Sequence, residues 1–413
     1  MKKDFMTIIL GSDENAYGNA RLIFEEYKIK SVLMCSRRLI PSYYSKIIDI
    51  VITENFDKPE IFVDALLAKL KELHTQYEKV LVVPCADYYT ELLVSNYEKF
   101  EGLIANKFID KSLLDAFYKK DDFYKLCEKH GLDYPKTYIA NADDRINAID
   151  KIEFDFPIVV KPENSNAYEY LHAEFEGKKK VYFFFNKEEY LTLINSMNKS
   201  DYKGKLIIQE FIVGGDDAGR VINSYCDENG NVLASVLGQP VIEEYAPKTL
   251  GNYAAIITRD DQSLYKKVSA FLKDINYVGF SNIDLKYDAK TGRYLAFELN
   301  PRLGRSSFFV YSTGFNMMKV FVDDVVYCKK VEPYFNDKTA LWLNIPKKTI
   351  SQFVSNEDLK SECMDLISQK KFVKTLVYSK DKNLKRNLYM RRYYNIQHQN
   401  FVNYYFEKNE FGL

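Results

Sequence analysis

FELNPRLGRSS, residues 297–307, places a carboxylate, a carboxamide and two guanidiniums at the end of an apolar strand pattern and ahead of a polar loop. In an extended chain Leu295, Phe297 and Leu299 share one face, and Glu298 and Asn300 share the other. A core does not favour that second face. Just upstream, SNIDLKY (281–287) repeats the pattern, with Ile283, Leu285 and Tyr287 on one side and Asp284 and Lys286 opposite. DAKTG (288–292) is a turn composition, so the two segments predict a hairpin. Any even register puts Asp284 on the face of Glu298 and Asn300. Three hard oxygen donors then converge as magnesium requires, and the trailing Arg302 and Arg305 suit phosphate. These residues predict a magnesium–nucleotide site.

The 413 residues exceed one ordinary core, so two to four packed units are expected. Apolar residues make up 46% and charged residues 28%, a globular composition. Lys and Arg balance Asp and Glu at 58 each, so no global field draws the chain to nucleic acid or an anionic membrane. The six cysteines form no CxxC pair, which predicts reduced thiols and argues against zinc. Four histidines without metal-pair spacing make histidine-centred catalysis improbable. Asp4 interrupts the first apolar run, and no window approaches the roughly 18 apolar residues of a membrane span. A cytoplasmic protein is expected.

Phe5 to Leu10 reads as a buried strand, and GSDENAYGNAR (11–21) as a turn into a helix. Strands over 31–35, 47–52 and 80–83, with an amphipathic helix over 61–73, predict an open parallel sheet. Loops at the carboxyl ends of such strands face ligands, which selects Ser12, Asp13, Asn15, Tyr17 and residues 85–88. A helix cap and a solvated turn explain the same residues as well. GxGxxG is absent, so a dinucleotide is not supported.

A helical pattern runs from Ser112 to His130, with Gly131 as its stop. Lys120 falls inside the apolar stripe if the helix is continuous, or at a junction if Asp121 caps a new one; a snorkelling lysine is the ordinary alternative. PIVVKP (157–162) is a strand ending near Lys161, and IIQEFI (207–212) a strand running into GGDD. The glycines and Asp217 suit a chain passing close to a ligand, or a plain loop. Arg220 opens a hairpin that returns through Gly230. After about residue 331 the chain is aromatic, with a basic run, KDKNLKRNLYMRR (380–392), whose simpler reading is a solvated helix and whose other reading is contact with an anionic substrate or lipid surface.

Taken together, LGSDENAYGNAR, PSYYSKIIDI, FYKLCEKHGLDYPKT, QEFIVGGDD, GFSNIDLKYD and FELNPRLGRSSFFV give a chain that resembles the ATP-grasp carboxylate–amine ligases, in particular the D-aspartate ligase branch that modifies peptidoglycan precursors. The resemblance runs nearly end to end. It implies an α/β and α+β chain: an ATP-grasp fold behind an N-terminal Rossmann-like parallel-sheet domain. The expected divisions are 1–112 for that domain, 113–205 for the small lobe, 206–330 for the lobe with the metal site, and 331–413 for a C-terminal extension.

By the same resemblance Lys120 and Lys161 clamp the phosphates of ATP, and Glu210, Phe211 and Ile212 form the hinge offering backbone groups to adenine. Asp217 holds the ribose. Asp284, Glu298 and Asn300 hold magnesium, or manganese in its place. Arg302 contacts phosphate, Arg220 points to the transferred group, and Arg305, Ser306 and Ser307 hold substrate carboxylate or phosphate. D-alanine ligases carry an arginine where this chain has Asn282, so stabilisation of the tetrahedral intermediate passes to Arg302 and Arg220. Ser165 and Asn166 stand in for the glycine-rich phosphate grip of other relatives.

The implied substrates are the β-carboxylate of D-aspartate and the lysine amine of a UDP-MurNAc-pentapeptide, and a homo-oligomer is compatible with the sequence. Two alternatives stay open: a ligase of other amino acids, such as a dipeptide synthetase or one decorating another envelope polymer, and a binding protein that kept the cleft without turnover.

Overall fold

The computed structural model describes residues 2–163 and 168–409, so Ser165 and Asn166 lie outside the described residues. Strand β1 (Lys3–Leu10) alternates between two apolar surfaces: Phe5 and Ile9 enter one core cluster, while Met6, Ile8 and Leu10 enter another. A strand buried on both faces belongs in a parallel sheet covered on each side. The sheet is completed through α1 (Glu14–Tyr27), β2 (Ser31–Cys35), β3 (Ile48–Ile52), α2 (Pro59–Leu73), β4 (Tyr77–Pro84) and α3 (Asp87–Ser95). Its order is β3-β2-β1-β4, parallel throughout.

The next helical stretch breaks in two, α4 (Lys111–Tyr118) and α5 (Lys120–His130), so Lys120 opens a helix. Asp121 is not the cap that the sequence suggested. Lys119 is the N-cap, and the buried Asp121 carboxylate pairs instead with Lys205 at 3.1 Å and Lys125 at 3.6 Å. Helix α5 stops at Gly131, whose φ of 72° suits a residue without Cβ. Beyond it come β5 (Thr137–Ala140), α6 (Arg145–Ala148), β6 (Ile158–Pro162), α7 (Tyr168–His172), β7 (Tyr182–Phe184), α8 (Lys187–Asn198) and β8 (Leu206–Glu210). These strands form an antiparallel sheet in the order β5-β8-β6-β7. Helix α8 buries Tyr190, Leu193, Ile194 and Met197, one stripe at helical spacing, in the same cluster as Ile158, Val160 and Ile208.

A hairpin of β9 (Gly219–Cys226) and β10 (Val232–Glu243) starts the largest sheet. It is followed by β11 (Tyr253–Arg259), α9 (Gln262–Asp274), β12 (Gly279–Asp288), β13 (Arg293–Asn300), α10 (Met317–Val325), β14 (Tyr334–Phe335), β15 (Leu341–Leu343), α11 (Lys347–Phe353), α12 (Glu357–Ser368), β16 (Phe372–Val373) and α13 (Leu384–Asn409). The order is β13-β12-β9-β10-β11-β15-β16, with β14 beside β10. The stretch after residue 331 therefore builds the sheet itself. Trp342 in β15 is fully buried, and its Nε1 donates to Thr375 at 2.8 Å.

The chain divides into two compact units, one of Met1–Leu114, Gly214–Asp284 and Leu299–Leu413, the other of Asp115–Val213 and Leu285–Glu298. Among the described residues no helix is long and apolar enough to cross a membrane. The six cysteines are unbridged.

Arg386 departs from the solvated helix expected of the basic run. Its side chain is only 2% exposed, with Nε 3.1 Å from the buried carboxylate of Asp381 and Nη1 donating to the carbonyls of Pro41 and Tyr43. Asp381 also accepts from the Tyr17 and Ser45 hydroxyls and from the Lys46 amide. Removing one partner of such a pair leaves an uncompensated buried charge. Arg386→Met is accordingly expected to cost about 3 kcal/mol, read by denaturant unfolding. Exposed Arg392→Met should cost less than about 0.5 kcal/mol.

Candidate active site

In the unit containing residues 115–213 and 285–298, Lys120 at the first turn of α5 and Lys161 in β6 form a cationic cluster. Loss of water pushes the Lys161 ammonium down to about 7, repulsion from Lys120 and Lys286 adds to this, and Glu298 opposes it. Burial likewise lowers Lys120, again against Glu298. The Lys161 ammonium lies 5.4 Å from the Phe297 ring centre, and that of Lys286 lies 5.5 Å from the Phe211 ring centre. Packing and pattern have brought like charges together at a desolvation cost, an arrangement stabilised by a polyanion such as a phosphate chain.

Beside this cluster Phe211 meets Phe183 edge to face at 6.0 Å, and Ile212 is buried. Glu210 accepts the Lys136 amide at 2.8 Å through Oε1, so its carboxylate braces the start of β5. Glu298 is exposed.

The other unit holds the remaining residues. Asp284 Oδ1 accepts from the Tyr253 hydroxyl at 3.1 Å, and Oδ2 from Asn300 Nδ2 at 3.3 Å, so these two side chains meet as the hairpin pattern predicted. The Asn300 carbonyl faces Arg302, whose Nη2 donates to it at 3.4 Å. Holding a cation requires that amide to turn and present its oxygen, a near-isosteric change. The Asp284 carboxylate and the Asn300 amide oxygen are hard oxygen donors, a chemistry that suits magnesium or manganese.

Arg302 makes a two-pronged pair with Asp87, through Nε at 2.7 Å and Nη2 at 2.8 Å. Asp87, the first residue of α3, falls in the 85–88 stretch selected for ligands, although its partner was not foreseen. Arg220 donates through Nη1 to the carbonyls of Asp217 and Gly219, each at 2.7 Å, and the Asp217 carboxylate accepts from Asn356 at 2.8 Å.

Arg305 sits among acids that sequence reasoning missed. It contacts Glu244 at 3.0 Å through Nη2 and Glu14 at 3.5 Å through Nε. Glu14 also accepts from Asn344 at 2.8 Å and from the Tyr393 hydroxyl at 3.1 Å. Burial pushes the Glu14 carboxyl up to about 8, against the pull of Arg305. Burial alone would lower the Arg305 guanidinium, but Glu14 and Glu244 more than reverse that and keep it charged. Among the described residues Glu14 Oε1 and Asn344 Oδ1 have no hydrogen-bond partner.

The loop residues mostly brace the fold. Ser12 donates to the Arg37 carbonyl and accepts the Leu39 amide, while Asp13 caps α1 by accepting the Ala16 amide. Asn15 donates to the Leu303 carbonyl at 2.8 Å and accepts from the Ser307 hydroxyl at 3.1 Å, tying α1 to the loop after β13. Ser306 is buried. Gly304 lies so close to Asn282 that a Cβ there would meet Asn282 Oδ1 at 2.5 Å.

Residues 210–323 match the family described as carbamoyl-phosphate synthase L chain, ATP binding domain. The D-aspartate ligase of Enterococcus faecium is 35% identical over 414 residues, 98% of each chain. Solved structures share the fold: N5-carboxyaminoimidazole synthetase from Staphylococcus aureus, with TM-score 0.59, 14% identity and 86% of both chains covered, and the L-amino acid ligase from Bacillus licheniformis, with TM-score 0.53, 15% identity and 80% of this chain against 76% of that one. The chain thus belongs to the D-aspartate ligase family of ATP-grasp enzymes, the ATP-dependent carboxylate–amine ligases that form a C–N bond.

Proposed function

We propose that the protein activates the β-carboxylate of D-aspartate with ATP and joins it to the lysine side-chain amine of a UDP-MurNAc-pentapeptide. The under-compensated pair Lys120 and Lys161 is the observation that carries the nucleotide half of this reading. Its amino-acid half follows the 35% identity to the E. faecium enzyme.

In this reading Lys120 and Lys161 bind the phosphates, the backbone of 210–212 takes adenine, and Asp217 the ribose. Asp284, Glu298 and Asn300 would hold magnesium, which supplies charge neutralisation at the phosphate oxygens when bound. The substrate carboxylate attacks the γ-phosphorus; the new O–P bond forms as the bond to the β-phosphate oxygen breaks, and ADP leaves. The amine then attacks the acyl carbon, the C–O bond to phosphate breaks, and the amine's proton is lost to solvent. Lysine and arginine charges placed where oxygen charge develops lower both barriers. Arg302 serves there once it is shared with or released from Asp87, and Arg220 turns toward the transferred group. Arg305, Ser306 and Ser307, with Ser12, Asp13 and Asn15 behind them, shape the substrate end. A cytoplasmic location follows from a nucleotide-linked acceptor.

The reading is tested by ATP turnover in hydroxylamine with a panel of D- and L-amino acids. A hydroxamate formed with D-aspartate alone is expected. Product with another acid reassigns the substrate, and none with any acid, despite ATP binding, points to a nucleotide-binding protein without turnover.

A further inference from the structure

Helix α10 forms one wall of a cavity to which the ligase chemistry assigns no ligand. Its other walls are the end of β4 with α3, the segment 105–109, the end of β9 and the start of β12, all inside the first unit. The cavity measures about 200 Å³, more than the roughly 150 Å³ that takes up benzene. Val82, Val94, Phe108, Phe280, Phe321 and Val325 make most of its surface apolar. Phe280 packs on Tyr225 and Phe321 with ring centres 4.9 and 5.1 Å apart, so one side is aromatic.

Four charged side chains line this cavity, and three of them are matched. Lys107 and Glu228 pair at 3.2 Å, and Arg302 is held by Asp87. Asp324 is the exception. Its Oδ2 accepts from the Tyr225 hydroxyl at 2.6 Å, but among the described residues no cation pairs with it and Oδ1 accepts no hydrogen bond. Burial raises the Asp324 carboxyl and the Tyr225 hydrogen bond opposes this; the neighbouring charges that act on it, Asp227 and Glu228, are both acids and raise it further. The residue is half-buried rather than sealed, which leaves Oδ1 open to the cavity. A carboxylate on an apolar wall without a cation is costly, and a ligand that brings the cation relieves the cost.

We propose that this cavity binds a small organic ammonium ion, with its N–H donors on Asp324 and its apolar body against the aromatic wall. The carboxylate supplies charge-assisted acceptors, and an aromatic face attracts a cation as well. ATP carries the wrong charge for it, so the site is separate from the nucleotide's. The ammonium belongs either to a free amine or to the lysine side chain of the proposed acceptor.

Calorimetric titrations of the full chain with phenethylamine, phenethyl alcohol and hydrocinnamate vary the head group on one apolar body, and Nα-acetyl-lysine methylamide represents the acceptor side chain. Saturable binding of an ammonium compound is expected, about tenfold or more tighter than that of the alcohol or the carboxylate. Asp324→Asn keeps an acceptor for the Tyr225 hydroxyl and should remove that preference, with a wild-type melting curve as the check on folding. Val325→Phe fills the cavity and should weaken the ammonium compound with Asp324 in place. Cys328 is exposed and lines the cavity, so a bound ammonium compound should slow its alkylation by iodoacetamide. Tighter binding of phenethylamine points to a free amine, and of the lysine amide to the acceptor. Equal affinity for amine, alcohol and carboxylate, a preference that survives Asp324→Asn, or an unchanged rate of Cys328 alkylation would overturn the proposal. None of these measurements needs ATP turnover, so this reading and the hydroxamate result fail independently.

Discussion

Lys161→Met is expected to lower kcat by about 10²–10³ while raising thermal stability in the absence of nucleotide. The first effect is the loss of a charge at a phosphate oxygen. The second follows from the cost of keeping that charge out of water among Lys120 and Lys286. Folding takes the group from an ordinary 10.5 to about 7. Below pH 7 both states hold the proton, and the native state bears the full cost of the charge. Between 7 and 10.5 the unfolded chain holds a proton that the native one has shed, so this group's contribution to stability improves as pH rises. Above 10.5 the cost is gone. Methionine should therefore gain most at pH 6, on the order of 1–3 kcal/mol after discounting for partial exposure, with the advantage closing toward pH 10. Loss of the contact with the Phe297 ring takes back a fraction of it. Melting curves at pH 6, 8 and 10 check the sign; a variant that melts lower at pH 6 would refute the electrostatic account.

Such a trade of stability for function is visible in sequence only where one strand or helix carries it. Alternation over 281–287 and 293–300 was enough to pair Asp284 with Asn300, because side-chain direction in a strand has period two. A continuous apolar run marked β1, and a glycine at the end of a helical pattern marked the stop at Gly131. Contacts between distant segments leave no periodic trace. Asp87 and Arg302 are 215 residues apart, and the acids around Arg305 come from α1, the end of β10 and, through Tyr393, α13. Ser12 and Asn15 were selected as loop residues at strand ends, and their polar atoms turn out to hold the loop together. Arg386 was hidden by its neighbours: a run of cations reads as a wet surface, although its spacing with Met390 and Tyr394 marks one face of the helix. Charge composition says how many cations a segment has; only packing says which one is buried.

Glu298→Gln is expected to reduce kcat by on the order of 10³ with little change in melting temperature. The side chain is exposed, so the substitution removes almost no packing. It removes a donor from the set proposed for magnesium, and the magnesium concentration needed for half-maximal rate should rise. It also removes the carboxylate that opposes the depression of Lys120 and Lys161. Both ammonium groups then lose protons more readily, and Lys161 titrates below about 7. At pH 8 the variant faces ATP with fewer charges than the wild type, whereas at pH 6 more of the protonated lysine is restored. The ratio of variant to wild-type kcat/KM for ATP should accordingly improve as pH falls from 8 to 6. A role confined to metal binding would leave that ratio flat or worsen it, because acid also protonates the remaining carboxylate ligand. Rates measured at both pH values, with magnesium titrated at each, separate the two contributions, and wild-type activity throughout would place the metal elsewhere.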